Sequence, residues 1–395
     1  MATDDSRIGV LLFNLGGPDD QRSVEPFLMN LFSDREIIEL PLGGLTQPIF
    51  AWLIAKLRGP SVRRNYALIG GGSPQLGITR AQADALERRL NDVQGPNPGR
   101  AGDETGAAAR GCSTSGAPLS PTRGAGLSSV DAPAELGTEK GASSTEKSAS
   151  STEKKWNRFR VFIAMRYWSP STEDALGAIE AEGIRRIVTL TLFPHWSKAT
   201  TGSSQNELDR ALALPRWRAK GFVVSGVDRY AGDPLYLDAF ADTVRTALEG
   251  FAEDVRDRVV ILFSAHGLPQ KFVDAGDPYV GQIEETRRGL LARLRVSNRQ
   301  LLGYQSRTGP VTWIGPGTDE KIRELGREGV KELLVVPLSF VSDHIETLYE
   351  VDILFKNMAI EAGITDYRRP AALNAHPLFV EALARLVERH LEAAS

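Results

Sequence analysis

The chain has 395 residues, 42% apolar and 25% charged, with 47 Lys and Arg against 50 Asp and Glu for a net charge of −3. Apolar content this high excludes a disordered polypeptide, and the balanced charge gives no basic excess for nucleic acid. One cysteine, Cys112, excludes an internal disulfide framework, a four-cysteine zinc site and a cysteine-ligated iron–sulfur cluster within one chain.

The length suits about two domains. The start, MATDDSRIGVLLFNLGG, is acidic where a secretion signal needs positive charge, and no run reaches the roughly 18–20 apolar residues of a transmembrane helix; the expectation is a cytoplasmic protein. Residues 8–13 (IGVLLF) are a continuous apolar run entering a Gly-Gly-Pro loop, the pattern of a buried parallel strand. Residues 37–57 are apolar but interrupted by Pro41, Gly43, Gly44 and Pro48, which predicts no long helix. Two readings stand there: a buried loop with a short core helix, or an exposed apolar lip that holds a flat hydrophobic ligand or leans on a membrane. The Gly70-Gly71-Gly72-Ser73-Pro74 run lacks the Lys-Ser/Thr of a phosphate loop and predicts a tight turn.

A helical pattern over 79–93 is followed by a segment, 94–155, built from Gly, Ala, Ser, Thr, Pro, Glu and Lys, in which Thr-Glu-Lys recurs at 138, 145 and 152. With nothing apolar at the core positions of that seven-residue period, the segment predicts a disordered, low-complexity insertion. Strand-like runs at 159–165, 186–193, 259–264 and 332–338 then alternate with helical patterns at 171–182, 234–251, 282–294 and 318–328. Such alternation predicts an α/β fold with parallel sheets, in which ligands sit at the carboxyl ends of strands.

The loops after those strands carry the candidate chemistry. Arg166 and Tyr167 follow one run, and Thr200–Ser204 opens a helix whose N-terminus suits an anion, with His195-Trp196 just before it either facing the cleft or packing. His266 follows the 259–264 run, in a turn made rigid by Gly267 and Pro269. Beyond 338 comes SFVSDHIETLYE, in which Ser342 or Asp343 is placed to cap a helix and Asp343, Glu346 and Glu350 share one of its faces. Carboxylates in a row suit hard divalent cations and proton movement.

Taken in order, Asn14–Pro18 (NLGGP), 69–74 (IGGGSP), Arg166-Tyr167, 200–204 (TTGSS), 264–269 (SAHGLP), 276–279 (GDPY), 313–316 (WIGP) and 342–350 (SDHIETLYE) make the chain similar to ferrochelatases, the terminal enzymes of haem synthesis. The resemblance implies two Rossmann-like lobes with parallel sheets flanked by helices and a porphyrin cleft between them. It divides the chain into a first lobe from 1–93 and 156–230 with the lip at 37–57, the insertion 94–155, a second lobe at 231–375, and a C-terminal helix at 376–395 packing back on the first lobe. It implies a lyase that inserts Fe²⁺ into protoporphyrin IX with release of two protons. His266 and Glu346 are then the catalytic and metal-contacting residues, and Asp343, His344 and Glu350 line a route for protons or metal. Leu15, Arg58, Tyr66, Ser73, Arg166, Tyr167, Trp313 and Phe340 contact the porphyrin. The departures matter. Some relatives carry a [2Fe–2S] cluster on cysteines; here Lys198 occupies the internal cysteine position and no cysteine trio ends the chain, so iron is expected as substrate only, with no prosthetic group. Leu15, where other members have Met or Tyr, offers no oxygen to a metal, and Leu57 replaces a basic residue beside Arg58. Insertion into coproporphyrin or another tetrapyrrole is the alternative chemistry, and a haem or metal carrier the alternative class. The expected state is a monomer or weak dimer without nucleic acid, peripheral to a membrane at most through the lip.

Overall fold

The apolar runs become the four inner strands of two sheets and one edge strand, at 159–165. β1 (Ile8–Asn14), β2 (Phe159–Met165), β3 (Arg186–Thr191) and β4 (Val223–Val227) form a parallel sheet in the order β2-β1-β3-β4. β5 (Val260–His266), β6 (Gln300–Gln305), β7 (Glu332–Pro337) and β8 (Asp366–Arg368) repeat that order as β6-β5-β7-β8. The computed structural model describes residues 7–38, 43–92, 158–307, 309 and 311–394, which all belong to one unit. The second unit, Val93–Lys155, lies outside the described residues, and with it the low-complexity reading of 94–155.

Alternation along the strands builds the cores. Ile8, Val10 and Leu12 point into one apolar cluster shared with Val188, Leu190, Ile261, Phe263, Leu334 and Val336, so both sheets feed the same core. Leu11 and Phe13 point the other way, onto Leu176, Ile179 and Ile187, while Val260, Leu262, Leu333 and Val335 do the same on the second sheet. Helices α1 (Val24–Ser33), α2 (Gly43–Ala67), α3 (Gln75–Asn91), α4 (Thr172–Ala181) and α5 (Ser203–Ala213) flank the first sheet. The second has α6 (Pro234–Glu249), α7 (Tyr279–Leu294), α8 (Thr318–Arg327) and α9 (Lys356–Glu361), while α10 (Pro377–Ala393) packs on α3, α6 and strands β3 and β4 of the first sheet. The two-lobe parallel α/β expectation is the fold observed.

Three expectations need correction. Residues 43–67 form one 25-residue helix despite Pro48 and Pro60. Each proline removes one backbone bond, yet a row of small or polar residues at four-residue spacing, Gln47, Ala51, Ala55 and Gly59, lets α2 lie close against Val24, Leu28 and Phe32 of α1. Gln47 adds bonds to the Phe32 carbonyl (2.8 Å) and Ile38 carbonyl (3.0 Å), and Lys56 and Arg63 both pair with Glu25 of α1. Packing thus outweighs the two broken bonds. Second, the helix after β7 is not an ordinary α-helix: Glu346–Phe355 is wound as a π-helix before α9, with no side-chain cap from Ser342 or Asp343. Third, the sheets contain β4, β6 and β8 beyond the expected strands, all three edge strands without a continuous apolar run.

The Gly70–Pro74 run is the tight turn expected: Gly70 and Gly71 adopt positive φ, and a Cβ on Gly72 would fall 2.1 Å from the Asp19 carbonyl oxygen.

Candidate active site

His266 ends β5, at the carboxyl edge of the second sheet. Its main chain enters a closed ring of hydrogen bonds: the His266 N–H donates to Ser339 Oγ (2.9 Å), Ser339 and the Tyr279 hydroxyl are 2.6 Å apart, and the Tyr279 hydroxyl donates to the His266 carbonyl (3.0 Å). The imidazole Nδ1 lies 2.6 Å from the Gly267 carbonyl, which can only accept. Nδ1 therefore carries the hydrogen, and in the neutral ring Nε2 is a bare acceptor. Gly267 is needed for this close fit, because a Cβ there would fall 2.8 Å from the Gln305 carbonyl oxygen and 3.3 Å from the Trp313 ring.

From His266 an aromatic step leads to the π-helix. Phe340 meets the His266 ring edge-on at 6.1 Å and the His344 ring at 4.4 Å. His344 Nδ1 faces the Ser342 carbonyl at 3.0 Å, and its Nε2 lies 2.8 Å from Glu346 Oε2, within hydrogen-bond distance of the carboxylate. Burial on its own favours the neutral Glu346 acid, but the facing His344 and then His266 outweigh it and hold the carboxyl down, to about 2. Glu350 behaves oppositely. Burial and the neighbouring Glu346 charge raise its pKa although Ser306 donates both N–H (2.8 Å) and hydroxyl to it. Gln305 completes this end, donating to Glu350 (3.1 Å) and to the Glu346 carbonyl (3.0 Å). Among the described residues no three His, Cys, Asp or Glu side chains converge as a metal cage.

The first lobe supplies Tyr66, buried at the end of α2 within electrostatic reach of Glu346, and Ile345 packs on the α1–α2 cluster that holds Tyr66. Ser73 stands against Gly17, where a Cβ would lie 2.5 Å from its hydroxyl, beside half-buried Leu15. The structure thus gathers His266, Phe340, His344, Glu346, Glu350, Tyr66 and Trp313. It does not bring Asp343 into that group: Asp343 is tied to Arg369 (3.0 Å), Asn374 (3.0 Å) and Thr347 (3.1 Å). Arg58 is exposed, its guanidinium 5.8 Å from the Phe32 ring.

Arg166 and Tyr167 are committed to a residue the sequence reading missed. Asp34, buried just past α1, accepts the Tyr167 hydroxyl (2.7 Å) and the Ser203 hydroxyl (2.5 Å) and pairs with Arg166 (3.0 Å). Arg166 also donates to Ser203 (2.7 Å) and approaches Glu207 (3.7 Å). The anion expected at Thr200–Ser204 is thus met from within the chain, by Asp34 through Ser203. Neither His195 nor Trp196 lines the site. His195 Nε2 donates to Thr286 (2.8 Å), whose hydroxyl is spent on the Ala231 carbonyl, and burial pushes the ring down to about 3, keeping it neutral.

With this geometry in view, comparison places the chain. A family model described as Ferrochelatase matches residues 7–100 and 135–391. The chain belongs to the ferrochelatase family. It is 42% identical over 382 residues to a ferrochelatase of Geotalea daltonii, covering 97% of both chains, and 41% identical over 383 residues to one from Synechocystis sp., covering 96% of this chain and 82% of that one. Among solved structures, SirB from Bacillus subtilis with Fe³⁺ aligns with a TM-score of 0.45 at 13% identity, over 60% of this chain and 83% of that one. A ferrochelatase is a lyase that inserts a metal ion into a porphyrin, so porphyrin and ferrous iron are the substrates of this family.

Proposed function

We propose that this ferrochelatase inserts Fe²⁺ into protoporphyrin IX to give protohaem, the last step of haem biosynthesis, with His266 as proton acceptor and Glu346 as the group that loosely holds iron and passes protons on. The observation that carries the reading is the tautomer of His266: with Nδ1–H spent on the Gly267 carbonyl, Nε2 is left as a base. A free porphyrin holds two weakly acidic pyrrole N–H groups in a flat ring. Tipping its lone pairs toward an incoming ion requires bending, supported by binding energy from remote ring atoms. Leu15, Tyr66, Ser73, Trp313 and Phe340 supply the walls for that binding, with Tyr167 fully buried behind them on Asp34. Arg58, exposed, is available to propionates, whereas Arg166 braces the wall through Asp34. The His344–Glu346 contact and Glu350, which accepts from Ser306 and Gln305, offer an exit route, to which Asp343 contributes by fixing the start of the π-helix through Thr347. Loose ligation suits an ion that must leave with the porphyrin, and the general affinity order of divalent metals leads us to expect Zn²⁺ and Co²⁺ insertion as well. Iron enters as substrate only; one cysteine in 395 residues leaves no four-thiolate cluster within this chain.

Incubation with Fe²⁺ and protoporphyrin or coproporphyrin without oxygen, followed by absorbance, tests the substrate; faster insertion into coproporphyrin would overturn the choice. Glu346→Gln, which keeps the shape and removes the charge, is expected to lower insertion about 10–100-fold while porphyrin still binds. A chain that merely carried haem would lose nothing.

The 94–155 segment is proposed to be dispensable. Asn91 closes the gap on its own: its side chain donates to the Phe159 carbonyl (2.9 Å) and accepts the Phe159 N–H (3.0 Å), so α3 and β2 meet where the segment leaves and returns. Deleting residues 96–154 is expected to leave a soluble enzyme with kcat/KM within about twofold, since closure cost changes slowly with loop length; insoluble or inactive protein would count against it.

We place the enzyme in the cytoplasm and at a membrane surface. No described helix is long and apolar enough to cross a bilayer, but Ile49, Trp52, Leu53 and Leu57 form one exposed stripe on α2, 46–70% accessible, flanked by Arg58. Vesicle flotation of the wild type and Leu57→Glu tests this contact.

A further inference from the structure

We propose that Tyr279 is a positioning residue for His266, and that with Ser339 and Asp277 it makes the setting of that imidazole depend on the docking of one lobe on the other. The proposal deepens, and rests on, the reading of His266 as proton acceptor.

The hydrogen-bond ring under His266 has one consistent direction. The His266 N–H donates to Ser339, so the Ser339 hydroxyl is free to donate to Tyr279, and the Tyr279 hydroxyl donates to the His266 carbonyl. Both backbone polar groups at the last residue of β5 are satisfied by these two side chains. Removing either hydroxyl breaks the ring and leaves one group at this strand end without its partner.

Tyr279 in turn is held from the other lobe. It opens α7, and Tyr279, Gln282 and Thr286 lie along one helical face. That face grips three features of the loop after β3: Gln282 accepts the Trp196 N–H (2.7 Å), Thr286 accepts from His195 (2.8 Å), and the His195 ring meets Tyr279 edge-on at 5.9 Å. Asp277 closes the strut. One carboxylate oxygen accepts the Ser197 hydroxyl and the Lys198 N–H of the first lobe, both at 2.9 Å, and the other accepts the Tyr279 N–H at 3.0 Å. A continuous path of buried or half-buried polar contacts therefore runs from Ser197 through Asp277 and Tyr279 to the backbone of His266. The Gly-Asp-Pro-Tyr motif, which the sequence singled out without a role, is this strut.

Tyr279→Phe keeps the ring and its contact with His195 and deletes only the hydroxyl; Ser339→Ala deletes its partner. Each is expected to lower kcat about 10–100-fold through a small displacement of the base, with porphyrin affinity, read by fluorescence quenching, unchanged within about twofold and the melting temperature close to wild type. The double variant is expected to lose no more than the worse single one, since both break the same ring, and Ser339→Thr, which keeps the hydroxyl, is expected to retain activity. Wild-type kcat in both single variants while His266→Ala is inactive overturns the positioning role alone. So do equal losses of kcat and porphyrin affinity, or losses that multiply in the double variant. Turnover persisting in His266→Ala instead removes the reading beneath it.

Discussion

Replacing His266 with alanine is expected to lower kcat about 10²–10⁴-fold, the usual contribution of a placed general base, while porphyrin binding persists. The expectation follows from what the side chain does not do. Its Nδ1 is occupied by the Gly267 carbonyl, its main chain is satisfied by Ser339 and Tyr279, and no hydrogen bond to Nε2 is found among the described residues. Truncation therefore takes away one proton acceptor and an edge contact with Phe340, and leaves the strand end and the walls as they were. Stopped-flow absorbance should show porphyrin bound but unmetallated. Substantial turnover in His266→Ala would transfer the base role elsewhere, with the His344–Glu346 pair next in line.

The largest expected effect on stability lies at Asp34. Asp34→Ala removes the carboxylate from a buried pair and leaves the Arg166 guanidinium, only 11% accessible, facing no close counter-charge but Glu207 at 3.7 Å; such losses cost about 3–5 kcal/mol. The same site sets an acid limit. Burial works to raise the Asp34 pKa, but the Ser203 and Tyr167 hydroxyls and the Arg166 charge prevail and hold it below the ordinary 3.8. A carboxyl with a depressed folded pKa stabilises fully above its unfolded value, and that contribution fades as pH falls through the folded one. Urea midpoints should therefore drop more steeply below about pH 4 in the wild type than in Asp34→Asn. Parallel curves for the two proteins would show that the pair is worth little.

Much of this fold was legible because its central strands are buried on both faces and so read as unbroken apolar runs, as in β1, where every residue is buried; the edge strand β2 was legible too, because its 159–165 segment is itself an apolar run. Ser171, read as the start of a helical pattern, caps α4 with Asp174. The misses have two causes, a weak local signal and packing that the local sequence does not show. β4 has exposed and half-buried residues and so no apolar signature, and α2 survives two prolines because α1 covers its small-residue face. The family motifs pointed to His266, Phe340, His344, Glu346 and Glu350, which the structure gathers. Asp34 carries no local signal; it matters only because Arg166, Tyr167 and Ser203, all more than 130 residues away, fold onto it. Nor could spacing along the chain reveal that Asp343, one residue before His344, would turn toward Arg369 and Asn374 instead.

The repeated strand order has a consequence of its own. β1 and β5 occupy equivalent places, each seven residues long, and end in Asn14 and His266. Asn14 is engaged at both amide atoms, donating to Thr79 (3.0 Å) and accepting from Gln75 (2.9 Å) and the Leu15 N–H (2.9 Å), and an amide takes no proton near neutral pH. The two matching scaffolds therefore carry unmatched chemistry at equivalent strand ends, an amide on one and an imidazole on the other. If His266 is the base proposed above, a macrocycle set between the two strand ends meets a proton acceptor from one side only.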